Sequence, residues 1–269
     1  MLSDRLLTLP GLVHWVDERH LLEFLLLADG RKSVVRVPMR SGDELAVMGE
    51  VAVALGATLV TRRRKTVVEF RNELGEEFVR WSSADSLEQG EVVGYLSREP
   101  AAATAAESAE FHEDHETLAE WLGYPKCCAR AYTSVMRDGH WTSALLNALS
   151  APVADGTRLP WECNKLAYAL YGTSMFPDYF PCDLACPGTV RLAREALKSL
   201  GRHGLADLAE RHRASMRRPI LRLGGRLYGV PEGLADAPLD RILGEMRGWQ
   251  SIALEAPVGG PEAMVVRFT

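Results

Sequence analysis

Glu91-Val92-Val93-Gly94-Tyr95-Leu96, then Pro100-Ala101-Ala102-Ala103-Thr104-Ala105-Ala106-Glu107-Ser108-Ala109-Glu110, then Phe111-His112-Glu113-Asp114-His115-Glu116: the chain changes character twice in this stretch, and the change decides the reading of the fold. The first run is β-branched and aromatic, as a strand requires. The second carries no large apolar side chain to anchor it and reads as a linker over 99–110. From His112 onward apolar residues recur at helical spacing. The reading is therefore α+β: a small, mostly antiparallel α/β sheet domain over 1–98, then a mainly helical, cysteine-containing domain over 111–269 with a β-hairpin near its C-terminal end.

Working back toward the N-terminus, Leu22–Ala28 and Ser33–Val37 flank Asp29-Gly30, and the positive φ that Asp-Gly supplies predicts a hairpin. Ser41-Gly42-Asp43-Glu44 is an N-cap with a carboxylate three residues on. It predicts a helix carrying Leu45, Met48, Ala52 and Leu55 and ending at Gly56. Extended runs follow at Thr58–Thr61, Thr66–Phe70, Glu77–Trp81 and Glu91–Leu96. Arg62-Arg63-Arg64-Lys65 falls between two of them, as a charged hairpin tip would.

Toward the C-terminus, helical spacing runs over Glu116–Leu122, Pro125–Met136, Trp141–Leu149, Trp161–Tyr171, Pro187–Leu200 and Leu205–Arg217. Ile220–Leu223 and Arg226–Val230 around Gly224-Gly225 predict the hairpin, and Met264–Phe268 a last strand.

Composition bounds the function. Of the 269 residues 47% are hydrophobic and 25% charged, the balance of a chain able to bury a core. A net charge of −5 gives no general attraction to a phosphate backbone. The basic runs, including Arg211-His212-Arg213 with Arg217-Arg218, have no interleaved aromatic platform, so nucleic acid is not the expected partner. No signal sequence is read at the N-terminus, and the apolar stretch near Leu21–Ala28 is too short to cross a bilayer, so the expected location is the cytoplasm. There thiols stay reduced, and clustered cysteines ligate metal or do chemistry rather than pair.

Five cysteines are present. Gly123-Tyr124-Pro125-Lys126-Cys127-Cys128 joins a helix stop, a proline suited to a helix start, and two thiols in the first turn of a new helix. In Phe180-Pro181-Cys182-Asp183-Leu184-Ala185-Cys186-Pro187 the last proline can again begin a helix, with Cys186 at its cap. The positive end of a helix favours thiolate, the form that binds metals. Cys127, Cys128, Cys182 and Cys186 are therefore the predicted ligands of one inorganic centre. Adjacent cysteines strain around a single small ion, so an iron–sulfur cluster is preferred to zinc. The alternatives are a zinc-stabilised binding module without enzymatic activity, a metal-free thiol redox protein, and inert core packing or a structural disulfide. Cys163 shares a helical face with Leu166, Ala167 and Leu170 and reads as core before ligand.

The two motifs, followed by a helical stretch and a hairpin, resemble an uncharacterised cysteine-motif domain family of archaea and bacteria over about residues 112–230. The resemblance implies that the two motifs belong together; no activity follows from it.

Other groups complete the set. His112 and His115 stand one helical turn apart and could add imidazoles or shuttle protons, or simply precede a helix capped near Asp114. Asp183 and Glu162 are the carboxylates nearest the thiols in sequence, as acid–base groups or as solvated caps. The aromatic segment Tyr171–Phe180 could wall a pocket or pack as a loop. His140 reads as a loop residue. Walker, dinucleotide-binding, nucleophile-elbow and zincin motifs are missing. The expected function is an iron–sulfur or other metal-dependent enzyme, oxidoreductase or lyase, acting on a small molecule, with an electron-transfer partner as a further expectation.

Overall fold

The computed structural model describes Leu6 and residues 18–71, 77–83, 90–138, 158–164, 167, 170, 179, 181–223, 226–247, 249, 251–253 and 263–269. Two compact units emerge. One comprises the described residues as far as Arg130, together with Ala196–Ala206; the other comprises those of Ala131–Glu195 and Asp207–Thr269. The fold class is mixed α+β, with two sheets rich in antiparallel pairs.

In the first unit, α1 (Glu18–Ala28) replaces the expected first arm of a hairpin. Leu21, Leu22 and Phe24 through Leu27 are all buried, so the helix is enclosed on every side, with Glu23 the one charged side chain buried among them. A short apolar run is the one pattern in which a buried strand and a buried helix look alike. Asp29-Gly30 closes the helix instead: Gly30 takes φ 67°, and the Arg31 amide turns back to the Leu26 carbonyl at 2.8 Å. The strand expected next is β1 (Val35–Met39).

Helix α2 (Gly42–Leu55) forms where its caps predicted. Ser41 Oγ accepts from the Glu44 amide at 3.1 Å, and Gly56 ends the helix at φ 60°. Then come β2 (Thr58–Arg71), β3 (Glu77–Ser83) and β4 (Glu91–Ser97), in a sheet of order β1-β4-β2-β3 with every pair antiparallel. Strand β2 is continuous through Arg62–Lys65, with only a shift in its register against β4, so this basic run is not a hairpin tip.

Of the linker expected over 99–110, the residues from Pro100 onward belong to helix α3 (Pro100–Phe111). Pro100 suits its first position. Ala102, Ala103 and Ala106 pack into a core with Val34, Val93, Tyr95 and Leu122. Small side chains let a helix lie close on a sheet, so the lack of large apolar residues marks close packing here. Glu110 anchors the end of α3, accepting from Arg36 Nε and Nη2 at 3.0 Å each and from the Tyr95 hydroxyl. Helices α4 (His115–Trp121) and α5 (Lys126–Asp138) follow near their expected bounds.

The second unit carries more β structure than its sequence suggested. Strands β5 (Arg158–Leu159), β6 (Ile220–Leu223), β7 (Arg226–Gly229), β8 (Ser251–Ala253) and β9 (Ala263–Phe268) form one sheet of order β5-β9-β6-β7-β8. The β6–β7 hairpin is the predicted one; β9 pairs antiparallel to β6 and β5 parallel to β9. Leu221, Val230, Leu234, Ile242 and Val265 form the core on this sheet, beside the short helix α8 (Leu239–Gly244). Helices α6 (Pro187–Arg202) and α7 (Ala206–Met216) match expectation. Trp161–Cys163 is a single 3₁₀ turn. The predicted helix Trp141–Leu149, His140, and most of Tyr171–Phe180 lie outside the described residues. None of the described helices is long and apolar enough to cross a membrane.

Candidate metal centre

Cys127 and Cys128 are the second and third residues of α5. The connection before them is tightly specified. Gly123 ends α4 at φ 73°, its amide reaching the Glu120 carbonyl at 3.1 Å and the Tyr124 amide the Ala119 carbonyl at 2.9 Å. The Pro125 carbonyl then accepts from Cys128 and Ala129 at 2.9 and 3.0 Å and opens α5. The second pair sits on a compact turn. Asp183 Oδ1 accepts from the Ala185 amide at 2.7 Å, and the Asp183 carbonyl accepts from the Cys186 amide at 3.2 Å. Cys186 in turn caps α6, its carbonyl taking the Val190 amide at 3.0 Å.

All four sulfurs lie within 4.8 Å of one another, a group that could hold a metal ion. Cys127 is exposed, Cys182 half-buried, and Cys128 and Cys186 buried; none is in a disulfide. Neither α5 nor α6 carries an acidic residue in its first turn, whereas α2 has Asp43 and Glu44 and α4 has Glu116. A tetrahedral ion with sulfur bonds near 2.3 Å separates its ligands by about 3.8 Å, so the four thiols need close by only a fraction of a bond length to fit one.

Cys163 is not a member of the group. It is fully buried, with Sγ 3.9 Å from the Cys186 carbonyl, in keeping with the core reading. Its neighbour Glu162 is not a solvated cap: it is buried, Oε1 accepting from Arg194 Nε at 2.6 Å, while buried Oε2 has no hydrogen-bond partner among the described residues. Asn164 closes the turn by donating to the Met216 and Arg218 carbonyls at 2.7 and 3.2 Å.

His112, His115 and Asp183 are likewise outside the sulfur group among the described residues. His112 Nδ1 lies 2.8 Å from the Ser108 carbonyl, and His115 begins α4. Asp114 is the cap: its side chain accepts from the Thr117 amide at 3.1 Å, and this contact holds its carboxyl below the ordinary range. Asp183 is occupied in shaping the turn between Cys182 and Cys186.

Sequence spacing gave no hint of Lys32. It is buried, its ammonium ion-paired with Glu23 of α1 and 5.1 Å from the centroid of the Tyr124 ring, three residues before Cys127.

No family model, no curated protein and no solved structure matches the chain. The likeness to a cysteine-motif family therefore rests on the two motifs alone.

Proposed function

We propose that the protein is a metal-binding module in which Cys127, Cys128, Cys182 and Cys186 together hold one thiophilic ion, zinc first among them. The mutual closeness of the four sulfurs, within 4.8 Å, carries this reading. A cluster of several irons places each thiolate on a different iron and spreads them farther. Zinc with four thiolates is the closed, structural kind of site, because no position remains for water or substrate. Binding then contributes directly to folding free energy, by tying the start of α5 to the turn before α6.

A second reading, the iron-dependent enzyme acting on a small molecule, is favoured by one observation: Cys127 is exposed while Cys128 and Cys186 are buried. Iron also accepts an all-sulfur tetrahedral set. An exposed ligand is the one a substrate displaces, which would open the metal to Lewis-acid chemistry.

Elemental analysis of protein purified without oxygen separates the two. One equivalent of zinc in a colourless protein that loses stability to a chelator supports the first reading. Iron in a coloured protein supports the second, one equivalent without acid-labile sulfide for a single ion and several with sulfide for a cluster. Wild-type protein with less than about a tenth of an equivalent of any metal, given that structural zinc sites bind very tightly, would sink both.

A further inference from the structure

We propose that Lys32 is a positioning residue for the metal centre, acting through Tyr124 on the first turn of α5; the inference rests on the metal-binding reading above. The connection Gly123-Tyr124-Pro125 sets the direction in which Cys127 and Cys128 leave the helix start. Two of its three residues are restricted locally: Gly123 sits at φ 73°, and a proline ring fixes its own φ. The Tyr124 amide is bonded to the Ala119 carbonyl at 2.9 Å, so what the turn leaves to be set is the Tyr124 side chain, and a contact that holds its ring braces the turn before the cysteine pair.

Lys32 supplies that contact from a fixed base. Its amide donates to the Leu26 carbonyl at 3.2 Å, where the chain leaves α1, and its ammonium is ion-paired with Glu23 on the same helix. Lys32 and Glu23 are each only 4% exposed. The ammonium stands 5.1 Å from the Tyr124 centroid, inside the range in which a desolvated cation is attracted to a ring face. The Lys32 stem also runs beside the turn itself: a Cβ built at Gly123 would meet Lys32 Cγ at 3.8 Å. Tyr124 is half-buried against the core that contains Val34, two residues beyond Lys32. Burying an ion pair is costly, and an apolar pair of similar volume would hold α1 to the following loop at least as well. A charge at this place is accounted for by what it does next, which is to grip an aromatic ring that no aliphatic side chain would orient.

The test compares zinc affinity, by competition with a chromophoric chelator, in full-length wild type, Tyr124→Phe, Tyr124→Leu and the double variant Lys32→Met with Glu23→Gln. Removing groups that orient metal ligands weakens metal binding by about 10–100-fold. Tyr124→Leu and the double variant are expected to lose about tenfold and to shift the visible bands of the cobalt-substituted protein, while Tyr124→Phe, which keeps the ring face, stays within about twofold of wild type. Thermal unfolding of each metal-free variant separates this from a general loss of fold, which would not move the cobalt bands of material that remains folded. Wild-type affinity in either Tyr124→Leu or the double variant overturns the proposal, as does a Tyr124→Phe loss equal to that of Tyr124→Leu. A wild type that binds no metal removes the underlying reading instead, so the two failures are distinct.

Discussion

Ser199 donates a hydrogen bond to Asp29 at 2.6 Å across 170 residues of sequence. Arg202 bonds the same carboxylate oxygen, and His203 Nε2 lies 3.1 Å from the other, so the end of α6 converges on the residue that closes α1. Burial pushes the Asp29 carboxyl up, but the bonds from Ser199, Arg202 and His203 and the charge of Arg202 together outweigh it and hold the group below its ordinary value of 3.8.

That depression fixes the sign of a pH dependence. With the folded group the stronger acid, its stabilisation is fully present above about pH 4 and is lost as pH falls from there through the folded value, because the unfolded chain takes up the proton first. Asp29→Asn is expected to cost about 1–2 kcal/mol at neutral pH, as loss of charged hydrogen bonds does. Urea unfolding at pH 7 and at pH 3 checks it. The gap between wild type and variant should narrow at the lower pH, and a gap that widens contradicts the assignment.

Glu110 makes a comparable junction inside the first unit, binding Arg36 of β1 through both oxygens and the hydroxyl of Tyr95 on β4. Glu110→Ala removes the carboxylate that accepts from the Tyr95 hydroxyl and from the Arg36 guanidinium. The expected cost is about 2–3 kcal/mol, with no change in metal content. Equilibrium unfolding and elemental analysis on the same sample check both halves.

How much of this was readable in advance depends on whether the signal was local. The caps Ser41 and Gly56 bond to their own helix, so α2 was legible from its ends. The hairpin reading of Asp29-Gly30 failed because the positive φ that opens a tight β-turn also terminates a helix, and nothing in the dipeptide distinguishes the two. The linker reading of 99–110 missed α3 because alanine is silent about whether it meets solvent or a sheet. At the site, each cysteine pair was visible through its prolines. The meeting of the two pairs, the Lys32–Tyr124 contact and the Glu162–Arg194 pair join residues far apart in sequence, and no periodicity encodes such pairings.

Cys163 provides the control for the four ligands. It is buried and its sulfur meets the Cys186 carbonyl, yet it stands outside the sulfur group. Cys163→Ala is expected to retain the wild-type metal content while losing about 1 kcal/mol of stability from a lost sulfur and a small cavity. Serine at Cys128 or Cys186, by contrast, should abolish metal retention after gel filtration. Equal metal content in all three variants would falsify the ligand assignment.

Exposure orders the reactivity of the sulfurs. In metal-free protein an alkylating agent reaches Cys127 most readily, since Cys182 is half-buried and Cys128 and Cys186 are buried. Thiolates are the reactive form, and bonding to a metal withdraws the same electron pair that would attack the reagent. Peptide mapping after a short iodoacetamide pulse is therefore expected to find the label first on Cys127. One equivalent of zinc added beforehand should slow that labelling about tenfold or more, in line with the tight binding of structural zinc. Labelling that begins at Cys182 would contradict the exposure order, and labelling at Cys127 with its rate unchanged by zinc would place Cys127 outside the ligand set and reduce the centre to three sulfurs.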